Sequence, residues 1–243
     1  MTQTDQRPLY REDAYLEQDE ATVVAHTEEG GLILDRTIFY PQGGGQPGDS
    51  GSLTWGDRRL SIATTIKAAD GASICVPAEA QPLPPIGTAV TQTLDWDRRY
   101  LHMRIHTALH LLSVVIPLPV TGGQITSEKG RLDFDMPDAP ENKEELQAQL
   151  QALIDQDLVV SESWITDAEL DANPGLVKTM SVQPPRGAGQ VRLVRIGTAE
   201  TQVDLQPCGG THVARSAEIG QIRLGKIEKK GRRNRRVSLH LES

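Results

Sequence analysis

Residues 98–116, RRYLHMRIHTALHLLSVVI, decide how the chain is organised. Leu101, Ile105, Leu109 and Leu112 recur at helical spacing, which predicts an amphipathic helix. Short strand-like segments precede it, and strands mixed with helices follow. Positions four apart project from one helix face, so His106 and His110 can bind a single ion together. The competing reading leaves both imidazoles as solvated or hydrogen-bonded helix residues.

A second pair has the same spacing. In Pro207-Cys208-Gly209-Gly210-Thr211-His212 the proline removes a backbone donor and the glycines free the chain, which predicts a tight turn. Such a turn lets the Cys208 thiolate and the His212 imidazole converge. Taken alone, Cys208 reads equally as a buried small hydrophobe. Together the two pairs offer nitrogen and sulfur donors suited to one zinc ion per chain. His26, His102 and His240 lack such partners and receive no metal role.

Upstream of the helix, Ala21–Ala25, Gly31–Leu34, Ser61–Ile66 and Ala72–Val76 read as short strands punctuated by Gly, Asp and Pro. The proline-rich break Gln81–Gly87 precedes one more, Ala89–Leu94. This pattern predicts a small barrel or sandwich. Downstream, strands are expected near Gln124–Thr126 and over Arg131–Met136, Val159–Thr166, Val191–Ile196, Gln202–Leu205, Ile219–Lys226 and Arg236–Leu241. Helices are expected over Pro140–Asp157 and Asp167–Ala172. The first has Glu141, Glu144 and Glu145 near its start and the stripe Leu146, Leu150, Leu153 and Ile154. The expected class is α+β: a β-barrel domain over residues 1–92, then an α+β domain with a mainly antiparallel sheet over 93–243.

Composition bounds the function. Aromatic residues make up 4% of the chain, too few for base-stacking platforms to dominate recognition. Between residues 226 and 236, Lys226, Lys229, Lys230, Arg232, Arg233, Arg235 and Arg236 face only Glu228. That segment carries +6, and the rest of a chain whose total is −8 carries −14. Such a strip on an acidic body suits phosphate contacts; it reads equally as a solvated turn between two strands. Two distant cysteines and a polar start argue against a secreted disulfide framework and for a reducing cytosol. Cys75 reads as a core residue, and no apolar run is long enough for a transmembrane helix.

Three motif readings fail on chemistry. Gly43-Gly44-Gly45-Gln46-Pro47-Gly48 matches a dinucleotide fingerprint by letter, but no amphipathic helix follows it. A β-turn or a loop approaching a ligand is expected instead. Zinc proteases place a Glu directly after the first His, where this chain has Thr107. The His-x-Glu and Pro-Cys-x-x-Cys of nucleobase deaminases are absent.

His106–His110, Ser127–Asp135 and Pro207–Val213 resemble, in order and spacing, the editing domain of alanyl-tRNA synthetase and its free-standing AlaX relatives. Phe39–Gly51 resembles the block that precedes this domain in the longer forms. The related editing domain of threonyl-tRNA synthetase shares the ligand pattern but is not expected to carry that block. No ATP-dependent aminoacylation module is recognisable, so the resemblance implies a stand-alone trans-editing enzyme.

The resemblance implies hydrolysis of mischarged tRNA(Ala), with serine and also glycine as the wrong amino acids. A pocket chosen for small size rejects an added hydroxyl poorly, so a hydrolytic site is needed. It matches His106, His110, Cys208 and His212 to the family's metal ligands; because a zinc-held water needs an open position, His106, His110 and Cys208 are expected as firm ligands and His212 as a weaker ligand or the partner of that water. It places the amino-acid pocket at Thr121, Gly122, Gly123 and Gln124, with Gly43, Gly44, Gly45 and Gln46 lining the same cleft. The basic strip would hold acceptor-stem phosphates. Two other readings remain: a non-catalytic zinc-stabilised RNA-binding module, and a zinc hydrolase of a small ester or amide.

Overall fold

The computed structural model describes residues 6–140, 142–179 and 189–242, and the chain forms two compact units, residues 1–101 and 102–243. Six strands build the barrel of the first unit: β1 (Gln18–His26), β2 (Leu32–Leu34), β3 (Gly51–Trp55), β4 (Arg58–Lys67), β5 (Ser73–Pro77) and β6 (Ala89–Leu94). They close into an antiparallel barrel in the order β1-β2-β5-β4-β3-β6. Closure leaves no unpaired barrel edge. Leu60 and Ile62 point inward at strand spacing, and a register shift between Ile62 and Thr64 moves the inward position on to Thr65. Val23, Leu32, Leu34, Leu53 and Cys75 complete the core, so the barrel is filled with side chains.

The glycine-rich block of this unit is a hairpin turn. Gly43 and Gln46 exchange both backbone hydrogen bonds, at 3.1 and 2.9 Å. Gly44 and Gly45 between them have φ of 56° and 85°. Two consecutive left-handed residues make the tight turn that matches strand twist, and glycine adopts it without strain. Asp49 then takes a backbone hydrogen bond from Tyr40 at 2.6 Å and meets the Arg99 guanidinium, whose Nε lies 3.1 and 3.0 Å from its carboxylate. Arg99 also donates to the carbonyls of Ala14 at 2.9 Å and Ile38 at 2.6 Å. Both charges are buried, so each depends on the other and on these carbonyls for the solvation it has lost.

The second unit is mostly sheet. The helix expected over 98–116 spans Trp96–Val115 (α1). It is followed by β7 (Val120–Ile125), β8 (Lys129–Asp135), α2 (Lys143–Asp155), β9 (Val160–Thr166), α3 (Asp167–Ala172), β10 (Gln190–Gly197), β11 (Gln202–Pro207), β12 (Ile222–Lys229) and β13 (Asn234–Leu241). Two antiparallel sheets result, in the orders β12-β13-β8-β7 and β9-β10-β11. Leu132, Phe134, Leu224, Val237 and Leu239 are buried in the first. A Cβ on Gly130 would sit 2.4 Å from Ile105 and 3.0 Å from Leu109, so glycine lets β8 pack directly on α1.

Boundaries differ where glycine or capping overrides pattern. β7 begins at Val120, earlier than expected, because Gly122 and Gly123 mask its strand signal. α2 begins at Lys143 rather than Pro140, since Asn142 caps it by accepting from the Glu145 N–H at 3.1 Å. Glu141 lies outside the described residues. Ile219 closes a 3-10 turn, and β12 starts only at Ile222, after Gly220 at φ 73°. α2 covers the outer edge of β12 with side chains. Gln151 Oε1 accepts from Ile222 N at 3.1 Å, Gln147 Oε1 accepts from Leu224 N at 2.9 Å, and Lys143 Nζ donates to Leu224 O at 3.4 Å.

Asp49→Ala is expected to destabilise the protein by about 3–5 kcal/mol, because Arg99 keeps its charge without its carboxylate. The urea midpoint measures this. Replacing the pair by apolar residues of similar volume should recover most of the loss.

Candidate metal centre

Helical spacing sets His106 and His110 on one face of α1, and the chain returns to them through β11 and the turn after it. The ligating atoms of His106, His110, Cys208 and His212 all lie within 4.8 Å of one another. Cys208 Sγ is 3.5 Å from His106 Nε2 and 3.3 Å from His212 Nε2. Zinc bonded tetrahedrally to sulfur and nitrogen holds those atoms about 3.6 Å apart, so these separations fit. The donor set, three imidazoles and a thiol, suits the same ion.

A second layer of contacts fixes the rings. His110 Nδ1 lies 3.0 Å from Asp204 Oδ2, leaving Nε2 to face the cluster. Asp204 is itself buried and receives Lys178 Nζ at 2.6 Å and Gln206 Nε2 at 2.8 Å. The Thr107 hydroxyl donates to Met103 O at 3.0 Å, so its oxygen can only accept at His212 Nδ1, 3.1 Å away. That places the His212 proton on Nδ1 and its lone pair on Nε2. Thr107 also accepts from Val213 N at 3.3 Å. The residue that excludes a protease base thus orients a histidine.

Arg192 builds the turn. Its Nη1 donates to the carbonyls of Cys208 and Gly210, each at 2.9 Å, while Nε donates to Glu162 at 2.7 Å. Cys208 N donates to Arg192 O at 3.1 Å.

These surroundings reset the ionisable groups. Burial alone would raise the Cys208 thiol, but His106 and His212 outweigh it and hold the group well below its usual value. Burial also works against a charged His110, yet its hydrogen bonds to Asp204 and Cys208 lift it to about 9. Asp204 falls to about 2: burial opposes the change, and His110 and Lys178 drive it. Burial, then the nearby His106, lowers His212 to about 3. Cys75, alone in the barrel core, is pushed by burial up to about 12.

The other sequence-derived residues have separate settings. Thr121, Gly122, Gly123 and Gln124 all lie on β7. Thr121 donates to Asp133 O at 3.1 Å and accepts from Asn234 Nδ2 at 2.8 Å; Gln124 Oε1 accepts from Arg131 at 2.9 Å. Gly43, Gly44, Gly45 and Gln46 form the hairpin of the first unit, where Tyr40 donates to Gly43 O at 2.9 Å. In the basic strip, Arg236 pairs with Asp133 at 2.8 Å, Arg233 with Asp135 at 3.1 Å and Lys230 with Glu228 at 2.5 Å. Arg235 donates to Pro137 O at 2.6 Å. Lys226, Lys229 and Arg232 have no ion pair among the described residues.

Asp204, Lys178, Thr107 and Arg192 were missed as site residues. One signal was available. Strand alternation puts Asp204, Gln206 and Cys208 on one side, a run of polar side chains leading into the cysteine. Nothing local marks Arg192 or Lys178.

Comparison with known proteins defines the class first. Residues 191–238 match the family described as Threonyl and Alanyl tRNA synthetase second additional domain, and residues 12–98 match tRNA synthetases class II (A). The chain is 32% identical over 247 residues to the Alanyl-tRNA editing protein AlaX-M of Methanosarcina acetivorans, covering 94% of this chain and 96% of that protein. It is 34% identical over 237 residues to the AlaX-M protein of Saccharolobus solfataricus, again 94% and 96%. The Alanine--tRNA ligase of Pyrobaculum arsenaticum is 32% identical over 92% of this chain, which spans 25% of that ligase. The chain belongs to the AlaX-M family of alanyl-tRNA editing proteins.

Iodoacetamide at neutral pH is expected to alkylate Cys208 in metal-free native protein and to spare Cys75 until denaturant is added. Prior zinc loading should protect Cys208; mass spectrometry of the peptides measures both. Thr107→Val should weaken zinc binding about 10–100-fold in a chelator competition, with Thr107→Ser restoring it.

Proposed function

We propose that the chain is a zinc-dependent deacylase that hydrolyses the ester joining serine, and secondarily glycine, to tRNA(Ala). The observation that carries this reading is the convergence of four Nε2 and Sγ donors in a chain related along almost its whole length to alanyl-tRNA editing proteins. An aminoacyl ester is activated, so the site need supply little beyond carbonyl polarisation and a nucleophile.

His106, His110 and Cys208 would hold the ion, with His212 as fourth donor or as the group that takes the proton of the attacking water. When bound, zinc supplies Lewis acidity at the ester carbonyl or to that water. Asp204 and Thr107 keep the imidazole lone pairs aimed inward, and Arg192 keeps the Cys208 turn in place. A reducing cytoplasm preserves the Cys208 thiolate, and no helix of the described residues is long and apolar enough to cross a membrane.

Thr121, Gly122, Gly123 and Gln124 would read the amino acid. The Thr121 hydroxyl donates to Asp133 O and accepts from Asn234 Nδ2, which fixes its orientation on β7 for contact with a serine hydroxyl. The cations between Lys226 and Arg236 would meet tRNA phosphates, led by those without an internal ion pair.

Deacylation of seryl-, glycyl- and alanyl-tRNA(Ala) tests the reading. The wild-type chain should release serine fastest, glycine next and alanine least, and Cys208→Ala should fall to the uncatalysed rate with loss of bound zinc. Turnover unaffected by Cys208→Ala or by chelation would reject it. His212→Ala separates its two roles: a ligand's loss lowers zinc content, whereas a proton acceptor's loss keeps zinc and slows hydrolysis. Thr121→Val should erode the preference for serine over alanine.

A further inference from the structure

The cations of the strip are unequal once folded, and Lys226, which has no carboxylate partner among the described residues, adjoins others from outside it. Arg233 and Arg236 are matched to Asp135 and Asp133 on the neighbouring strand β8, and Lys230 to Glu228. Lys226 is exposed at the register shift between Leu224 and Ile227, where an extra residue in β12 alters the direction of its side chains. There β12 meets the start of α2. A groove of about 400 Å³ opens between them, lined by Lys143, Arg223 and Lys226 over a floor that includes Pro140, Leu224 and Ile227. No carboxylate lines it among the described residues. Arg223 is 3.6 Å from Glu242, with both side chains more than half exposed, a contact of little strength in water.

Three cations around a concave, partly apolar floor suit one kind of occupant. Phosphate oxygens neutralise the cations and release counterions, while the sugar lies against the apolar surface. We propose that this groove between α2 and the bulged edge of β12 is where the sugar–phosphate backbone of the tRNA docks, through Lys143, Arg223 and Lys226. The paired arginines of the hairpin contribute less, because each is held to its carboxylate by two hydrogen bonds, whereas Arg223 has only the one long contact. Lys143 and Arg223 stand outside the basic run in sequence; Arg223 shares β12 with Lys226, and the packing of α2 on β12 brings in Lys143. The inference rests on the deacylase reading for the identity of the RNA.

Binding of uncharged tRNA(Ala), followed by fluorescence anisotropy across a salt series, tests it. The triple variant Lys143→Ala, Arg223→Ala, Lys226→Ala should bind at least 10-fold more weakly, with the slope of log affinity against log salt reduced by about 2. The double variant Arg233→Ala, Arg236→Ala should lose less. In deacylation of seryl-tRNA(Ala) the triple variant should raise KM and leave kcat near wild type, while hydrolysis of seryl-adenosine and zinc content stay unchanged. The single variant Lys226→Gln, at an exposed position, gives the same direction of change without risk to the fold. An unaltered salt slope in the triple variant, or a greater loss in the hairpin variant, would overturn the groove. If wild type hydrolyses neither ester while the triple variant still loses RNA affinity, the deacylase reading fails and the groove stands.

Discussion

Three buried imidazoles and a partly buried thiol are the constraint on which the second unit depends. Burying polar groups is costly unless each finds a partner, and the cluster of His106, His110, Cys208 and His212 meets that demand in two layers. Inside, the donors face one another. Outside, Asp204, Thr107 and Arg192 hold them by hydrogen bonds that each use a defined proton. The elements that carry these partners are then fixed as well: α1 by its two histidines, β11 by Asp204 and Gln206, β10 by Arg192. A site with its rings already oriented spends little free energy on rearrangement when an ion or a substrate arrives.

The first unit answers a similar demand in another way. The Arg99–Asp49 pair has no role in ligating anything, yet it gathers Ala14, Ile38, Tyr40 and the glycine-rich hairpin around one guanidinium. In both units a buried charge organises irregular backbone that strand pairing does not reach. On the surface the same accounting runs in reverse, since carboxylates on β8 neutralise part of a basic strip that by sequence stands almost unopposed.

Much of this was legible in the sequence, and the failures have physical reasons. The helices declare themselves through apolar spacing and, for α3, through the Thr166–Glu169 capping box. Both ligand pairs are visible because four-residue spacing is local. β3 escapes and the first half of β7 goes unread because Gly51, Gly122 and Gly123 dilute their strand pattern. The outer layer of the site escapes because its contacts are long-range: Asp204 and His110 are 94 residues apart in the chain, and Thr107 and His212 are 105 apart. The strip's charge is legible, whereas its internal pairing appears only when β13 lies beside β8.

The contacts of α2 with β12 have the regularity of a gear. Gln147 and Gln151 are one helical step of four residues apart, about 6 Å, and their partners Leu224 and Ile222 are one strand repeat apart, about 6.7 Å, while Lys143, a further step along, reaches only the carbonyl of Leu224 again. The two pitches nearly coincide, so a helix can stand in for a missing strand over a short length and then falls out of phase. This sets a limit on how far such a cover can extend. It also makes the helix a guard: where α2 peels away, β12 becomes a bare sheet edge able to template pairing with another chain. Conditions that loosen α2 would therefore favour self-association through β12 before the sheet itself unfolds.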